Sequence, residues 1–478
     1  MMEEIGSLID GICLKGENRK LLKVRNPFNE DLVGVVHFGT VEDMEQAVQT
    51  ANTTFHQIMK TMPAYKRSEI LRKSADLLEI QAQSFVELLS KEAGKPIRDA
   101  QGEVRRAIEV LRFAAEEALK NNGELIKMDA AQAGVGRIGL AVKKPVGVIA
   151  AITPFNFPLN LVLHKIAPAI AAGCTVVLKP AEKTPFSAMK LVILMQEAGL
   201  PKGVVSVVNG EGELLVPPLV KHKDIKYVTF TGSGEIGLKI KEMAGNKKVT
   251  LELGSNSPTI VFQDADIKKV VAAVVKGGFA FAGQACISVQ RLYVQKEIYK
   301  EVKEELVSAV KALIVGDPAK ETTDVGPLIT EDAAWRAEEW IQEAVAEGAV
   351  CLTGGKRINS VIEPTILENV TATMKVVCKE VFAPIVTLLP FQTEEEVLEA
   401  ANDSDYGLQA GVFTNDINRA YRMFEKLETG GVWINDVSTY RQDNIPYGGV
   451  KKSGIVLEGV HYTMEEMMKV KFLGFNIG

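Results

Sequence analysis

The spacing of apolar positions divides the chain into two textures. Over the first 120 residues, apolar side chains recur every three or four positions, the period of an amphipathic helix. Three long helices are expected there. One follows "TVED" (Thr40 to Asp43), which reads as a capping box. The next opens at Pro63, a favoured first-turn residue, and buries Ile70, Leu71, Leu77, Leu78, Leu88 and Leu89. The third runs from about Ile97 to Lys120. From residue 145 short β-branched runs alternate with helical segments: "VGVIAAIT", "CTVVLK", "VVSVV", "IKYVTF" and "KVTLEL". Alternation of this kind predicts a parallel α/β sheet with both faces covered. Residues 259–435 repeat it, predicting a second α/β domain with helices near 266–282, 297–313 and 332–347.

Two segments fit neither domain. Residues 125–146 read as a strand or hairpin excursion, and "MKVKFLGFNIG" as a lone strand. Isolated strands tend to add to another sheet edge, often in a partner subunit, so a homodimer or homotetramer is expected.

Bulk properties narrow the function. A chain of 478 residues is too long for one core, so two or three domains are expected. A net charge of −6 argues against nucleic acid or an anionic membrane as the main partner. The first residues show no basic start followed by an apolar run, and the apolar runs are too short to span a bilayer. The five cysteines, at 13, 174, 286, 351 and 378, form no CxxC pair. Scattered cysteines suit a reducing cytoplasm and oppose a metal site.

Five local features could carry chemistry. "FTGSGEIG" holds Gly232, Gly234 and Gly237 as G-x-G-x-x-G, and Glu252 follows twenty residues after Gly232. That is the dinucleotide fingerprint, with an acid at the ribose distance. Glu252 also ends a strand beside Gly254, where α/β sheets place ligands. Cys286, in "GQACISVQR", is a nucleophile candidate that needs a base or a positive field, though most free cysteines are buried hydrophobes. Asn156 lies between Pro154 and Pro158, which stiffen its turn, so its amide suits a developing oxyanion. Lys179 and Glu182, in "LKPAEKTP", suit ribose hydroxyls, and the glutamate would repel a 2′-phosphate. That favours NAD, with NADP the less favoured alternative. Solvated ion pairs and loop-satisfying amides are the ordinary roles of such residues.

Together these motifs resemble the aldehyde dehydrogenase superfamily over nearly the whole chain. "TPFNFP", "KPAEKTP", "FTGSGEIG", "LELGSNSP", "GQACISVQR", "KEVFAP" and "PYGGVKKSG" occur in that family's order and spacing. The resemblance implies an α/β fold with a Rossmann-like cofactor domain (1–124 and 147–254) and a catalytic domain (255–452). It makes 125–146 and 453–478 oligomerisation segments. It implies that Cys286 attacks the aldehyde, that Asn156 and the Cys286 N–H hold the oxyanion, and that Glu252 activates water. Lys165 and Glu458 match positions of proton relay. Lys179, Glu182 and Glu380 would hold ribose hydroxyls, with Phe382 near the nicotinamide. Ile152, Thr153, Pro154, Phe155, Gly212, Gly232, Ser233, Ile236 and Leu253 complete the implied cofactor contacts.

Two departures stand out: Ser255 follows Gly254 where a second glycine is usual, and Val456 replaces another glycine. Around the implied substrate funnel lie His164, Arg106, Arg441 and Ile287. Cationic and hydrogen-bonding groups there suit a short polar or anionic aldehyde, as in lactaldehyde dehydrogenases and relatives acting on sulfo- or phospho-substituted aldehydes. Succinate semialdehyde and glyceraldehyde 3-phosphate are alternatives. Two other readings stay open: a Rossmann-type NAD dehydrogenase with no covalent step, and a non-catalytic binding protein.

Overall fold

In the computed structural model, which describes residues 3–120 and 123–478, the alternating runs form two large sheets. Met1 and Met2, where the segment read for a signal peptide begins, lie outside the described residues. The first sheet has eight strands. Its middle is parallel: Lys248–Glu252, Ile225–Thr231, Val148–Ile152, Thr175–Lys179 and Val205–Val207. Val148–Ile152 and Thr175–Lys179 are buried at every position. Helices cover both faces, so no position needs to be polar.

The second sheet has seven strands, in the order Val350–Thr353, Thr365–Glu368, Ile385–Phe391, Arg291–Gln295, Pro258–Val261, Gln409–Phe413, Gly431–Ile434. Only the Val350–Thr353 edge is antiparallel. The chain is thus two parallel α/β units with a small β extension. Its helices at Ile267–Phe279, Lys296–Lys311 and Glu331–Ala346 lie within a few residues of the expected spans.

The first 120 residues hold more than helices. Leu21–Arg25 and Leu32–His37 pair antiparallel, and Ser7–Ile9 joins the first sheet beside Val205–Val207. The capping box at Thr40 forms as expected, Thr40 Oγ1 accepting from the Asp43 N–H. The helix expected to open at Pro63 is two helices, Ala64–Ile80 and Ala82–Ala93. They meet at Gln81, whose φ of −96° and ψ of 11° break the helical turn.

Three antiparallel strands form the extension: Gly123–Ile126, Arg137–Pro145 and Met468–Asn476. The excursion thus begins two residues before 125. Residues 453–478 divide between two places. Gly454–Ile455 pairs with the Lys248–Glu252 strand, and Val460–Glu466 packs on helix Asn160–Ala172. Only Met468–Asn476 joins the small sheet. Val456, at the expected glycine position, has a φ of 71°. The loop keeps a left-handed turn that a β-branched residue adopts only under strain.

Candidate active site

Val148–Ile152 is flanked by Thr175–Lys179 on one side and Ile225–Thr231 on the other. Chain order runs outward in both directions from it, which makes a topological switch point, where α/β sheets bind ligands at strand carboxyl ends. Thr153, Lys179, Gly232 and Glu252 all lie at those ends.

Cys286 follows a strained bend. Phe281, Ala282 and Gly283 have φ values of 46°, 53° and 69°, three successive left-handed residues. Such a run costs free energy unless its surroundings hold it. The Phe281 N–H donates to Asp99 at 2.8 Å. The fully buried Lys95 ammonium lies 4.4 Å from the Phe281 ring centroid and 3.9 Å from that of Phe157. Lys95 pairs with buried Glu103 and donates to the Asn156 carbonyl at 2.7 Å. Glu103 accepts from the Leu159 and Asn160 N–H groups at 3.0 and 3.1 Å. One buried ion pair therefore ties the Asn156 turn to the Cys286 bend. Asn156 Nδ2 completes the tie, donating to the Gln284 carbonyl at 2.9 Å. An amide nitrogen carries two hydrogens, so one is left for a ligand.

Cys286 is half-buried, with Sγ 3.1 Å from the Tyr447 hydroxyl. Burial pushes its thiol up to about 11, Tyr447 and Arg441 pulling the other way and Glu380 and Glu252 adding to the rise. Glu252 is 3% exposed, and neither of its oxygens has a hydrogen-bond partner among the described residues. Burial, then the charge of Glu458, raises its carboxyl well above the usual range. Glu458 is equally buried but paired. It meets Lys165 at 3.3 Å and Arg441 at 2.8 Å, and despite burial these cations hold it below the usual range. Lys165 also donates to Thr229 and Thr231, at 3.1 and 2.8 Å.

Helix Asn160–Ala172 is buried all round, so its polar residues must find partners inside the protein. His164 Nε2 lies 2.7 Å from Asp443, while its Nδ1 has no partner among the described residues. Burial and Arg441 lower the imidazole's affinity for a proton, against Asp443. Arg106 takes the same carboxylate bidentately, at 2.6 and 3.1 Å. Arg441 lies over the Tyr447 ring at 3.6 Å, and its Nε has no partner among the described residues. Both cations expected at the substrate funnel thus have a carboxylate of their own. Ile287 is buried with Tyr447 and Leu408, against Cys286.

The sequence model of the aldehyde dehydrogenase family matches residues 14–473. A 3-sulfolactaldehyde dehydrogenase from Priestia aryabhattai is 45% identical over 470 residues, 98% of each chain. Among solved structures, aldehyde dehydrogenase 21 from Physcomitrella patens, in complex with the reaction product succinate, superimposes with a TM-score of 0.97. It is 41% identical, covering 100% of this chain and 99% of its own. A glyceraldehyde-3-phosphate dehydrogenase from Methanocaldococcus jannaschii, complexed with NADP, gives 0.92 at 39% identity, covering 96% and 100%. The chain belongs to the aldehyde dehydrogenase family. It is an oxidoreductase acting on an aldehyde group.

Aldehyde dehydrogenases take NAD or NADP, and the residues present fit a dinucleotide. Lys179 and Glu182 sit 3.4 Å apart, and Glu182 accepts from the Gly212 N–H at 2.9 Å. A Cβ on Gly212 would come within 3.8 Å of both side chains, narrowing this cradle. Ser233 precedes helix Gly234–Ala244 without capping it through its side chain, and open space surrounds Gly234. The helix's first N–H groups therefore suit a phosphate. Ile236 is exposed on its first turn, and Leu253 packs against Gly237. The buried Thr153 hydroxyl is unpartnered. Glu380 accepts from the Ser255 N–H at 3.1 Å, and burial raises its carboxyl to about 7. A Cβ on Gly254 would strike that carboxylate and force it to shift. Phe382, at φ 51°, places its ring 5.9 Å from Phe155, edge to face. Ile152 ends the Val148–Ile152 strand and is buried, and Pro154 follows it half-buried.

Lys95, Glu103, Asp99, Asp443 and Tyr447 were not singled out from the sequence. Tyr447 lies inside "PYGGVKKSG" and Asp443 three residues before it, but no local pattern says that one reaches Cys286 and the other His164.

Proposed function

We propose that this enzyme oxidises a short polar or anionic aldehyde to the free carboxylic acid, using NAD, through a thioester on Cys286. The observation carrying the covalent, hydrolytic reading is a reactive pair: a half-buried Cys286 and an unpaired, buried Glu252 whose charge acts on it. Cys286 sulfur attacks the carbonyl carbon. A C–S bond forms, and the carbonyl oxygen takes the charge beside the second Asn156 amide hydrogen and the Cys286 N–H. When bound, the nicotinamide dinucleotide supplies the acceptor for the aldehyde's hydride. The acyl group then stays on sulfur as a thioester. Glu252 takes a proton from water, the oxygen adds to the acyl carbon, and the C–S bond breaks to free the acid. Lys179, Glu182 and Glu380 would hold ribose hydroxyls of the dinucleotide, and the first N–H groups of helix Gly234–Ala244 would hold its phosphates. The acidic Glu182 beside the ribose favours NAD over NADP. Lys165 and Glu458 relay protons behind Glu252.

The substrate class rests on charge. Arg106 and Arg441 bring guanidinium charge, partly offset by Asp443 and Glu458, and among the described residues Arg441 Nε and His164 Nδ1 have no partner. The names of the three relatives carry a sulfonate, a carboxylate and a phosphate, all anions. An aldehyde panel with each cofactor, read by absorbance of reduced nicotinamide, tests this. Sulfolactaldehyde, lactaldehyde or succinate semialdehyde should give the highest kcat/KM. Better specificity for hexanal or benzaldehyde would sink the reading.

A further inference from the structure

Tyr447 has no role in the scheme above, yet its hydroxyl is the polar side-chain atom in contact with the reacting sulfur. It lies 3.1 Å from Cys286 Sγ. The ring is 2% exposed, wedged against Ile287 and Leu408 on one side and stacked by Arg441 on another. Its backbone is clamped as well: Tyr447 and Glu458 exchange both N–H···O bonds, at 2.9 and 2.5 Å. Arg441, above the ring, is itself fixed by Glu458. The phenol thus has little freedom to leave the sulfur.

While Cys286 is a thiol, either atom can donate. Once the sulfur is a thiolate, only the phenol can, and a hydrogen bond to the charged form favours that form. We propose that Tyr447 is a further catalytic residue, whose phenol donates a hydrogen bond to the Cys286 thiolate and raises the thiolate fraction at neutral pH. The proposal rests on Cys286 as nucleophile. Tyr447 is no base: burial holds its own proton well past the usual phenol range, with the charges of Cys286 and Glu252 raising it further and Arg441 opposing. The charged groups acting on Cys286 are Arg441, which favours the thiolate, and Glu380 and Glu252, which oppose it. Arg441 helps through its charge and by holding the ring. Tyr447 helps by direct contact, so removing the hydroxyl alone separates the two.

Tyr447→Phe keeps the ring and the Arg441 stacking. The test is the pH dependence of Cys286 alkylation by iodoacetamide, mapped to its peptide by mass spectrometry in the full-length enzyme. The midpoint should move up by about one pH unit or more, and alkylation near pH 7 should slow about tenfold. In parallel, kcat/KM of the variant should fall at neutral pH and recover as pH rises. An unchanged alkylation midpoint, or a loss of kcat/KM equal at every pH, would overturn the proposal. The alkylation profile needs no turnover, so it stands apart from the catalytic reading. That reading fails separately if Cys286→Ala still oxidises aldehydes.

Discussion

Glu252 and Glu458 are both carboxylates buried to within a few per cent, and the structure treats them in opposite ways. Glu458 has Lys165 on one oxygen and Arg441 on the other, and its pKa is lowered. Glu252 has no partner on either oxygen, and its pKa is raised. An unpaired buried carboxylate is costly, and strongly perturbed carboxylates cluster at functional sites. The difference separates a carboxylate whose charge Lys165 and Arg441 balance from one that has no direct counter-charge among the described residues.

The comparison can be broken in several ways. The largest effect is expected at the group Glu252 serves: Cys286→Ser should lower aldehyde oxidation by about a thousandfold or more, measured as steady-state formation of reduced nicotinamide. Glu252→Gln should slow turnover by roughly 10²- to 10⁴-fold, while rapid mixing still shows a burst of about one reduced nicotinamide per site. A variant with unimpaired steady-state turnover would remove Glu252 from the water step.

Stability should sort the two acids the other way. Glu458→Gln leaves Lys165 and Arg441 short of a counter-charge and should destabilise by about 3–5 kcal/mol in urea unfolding, whereas Glu252→Gln should change stability by only about 1 kcal/mol. Their pH signs also differ. The raised pKa of Glu252 gives stability present at low pH and lost as pH rises through it. The lowered pKa of Glu458 gives stability present above the usual carboxylate range and lost as pH falls through the lowered value. The stability gap between each variant and wild type, followed from acid to neutral pH, should therefore slope in opposite directions. The smallest effect is expected at the substrate end. Arg106→Gln should lower kcat/KM for an anionic aldehyde about tenfold and leave an uncharged aldehyde of equal length nearly unaffected.

The candidate groups stood out in the sequence because each lies beside a proline or glycine: Asn156 between its prolines, Glu252 before Gly254, Cys286 after Gly283. Their partners did not, since these lie far off in the chain. Arg106 and Asp443 are separated by 337 positions, and nothing near either predicts their bidentate pair. Arg106 and Arg441 read from sequence either as funnel cations or as ion-pair residues, and tertiary contact gives each a carboxylate, Asp443 and Glu458. The two parallel domains followed from the alternation of β-branched runs and helices. The amino-terminal strands did not, because Leu21–Arg25 exposes most of its residues and Gly34 interrupts Leu32–His37. The break at Gln81 carries no proline or glycine to mark it. The fingerprint at Gly232 pointed to the cofactor, but Glu252, at the ribose distance, is surrounded instead by the charges of Glu458, Arg441 and Lys165.

The central claim is a thioester on Cys286 that Glu252 resolves. Glu252→Gln enzyme mixed with NAD and its best aldehyde, then quenched in acid and digested, tests it most directly by mass spectrometry. The account predicts the Cys286 peptide carrying the mass of the acyl group, formed as reduced nicotinamide appears. Reduced nicotinamide formed in equal amount with that peptide unmodified would contradict it.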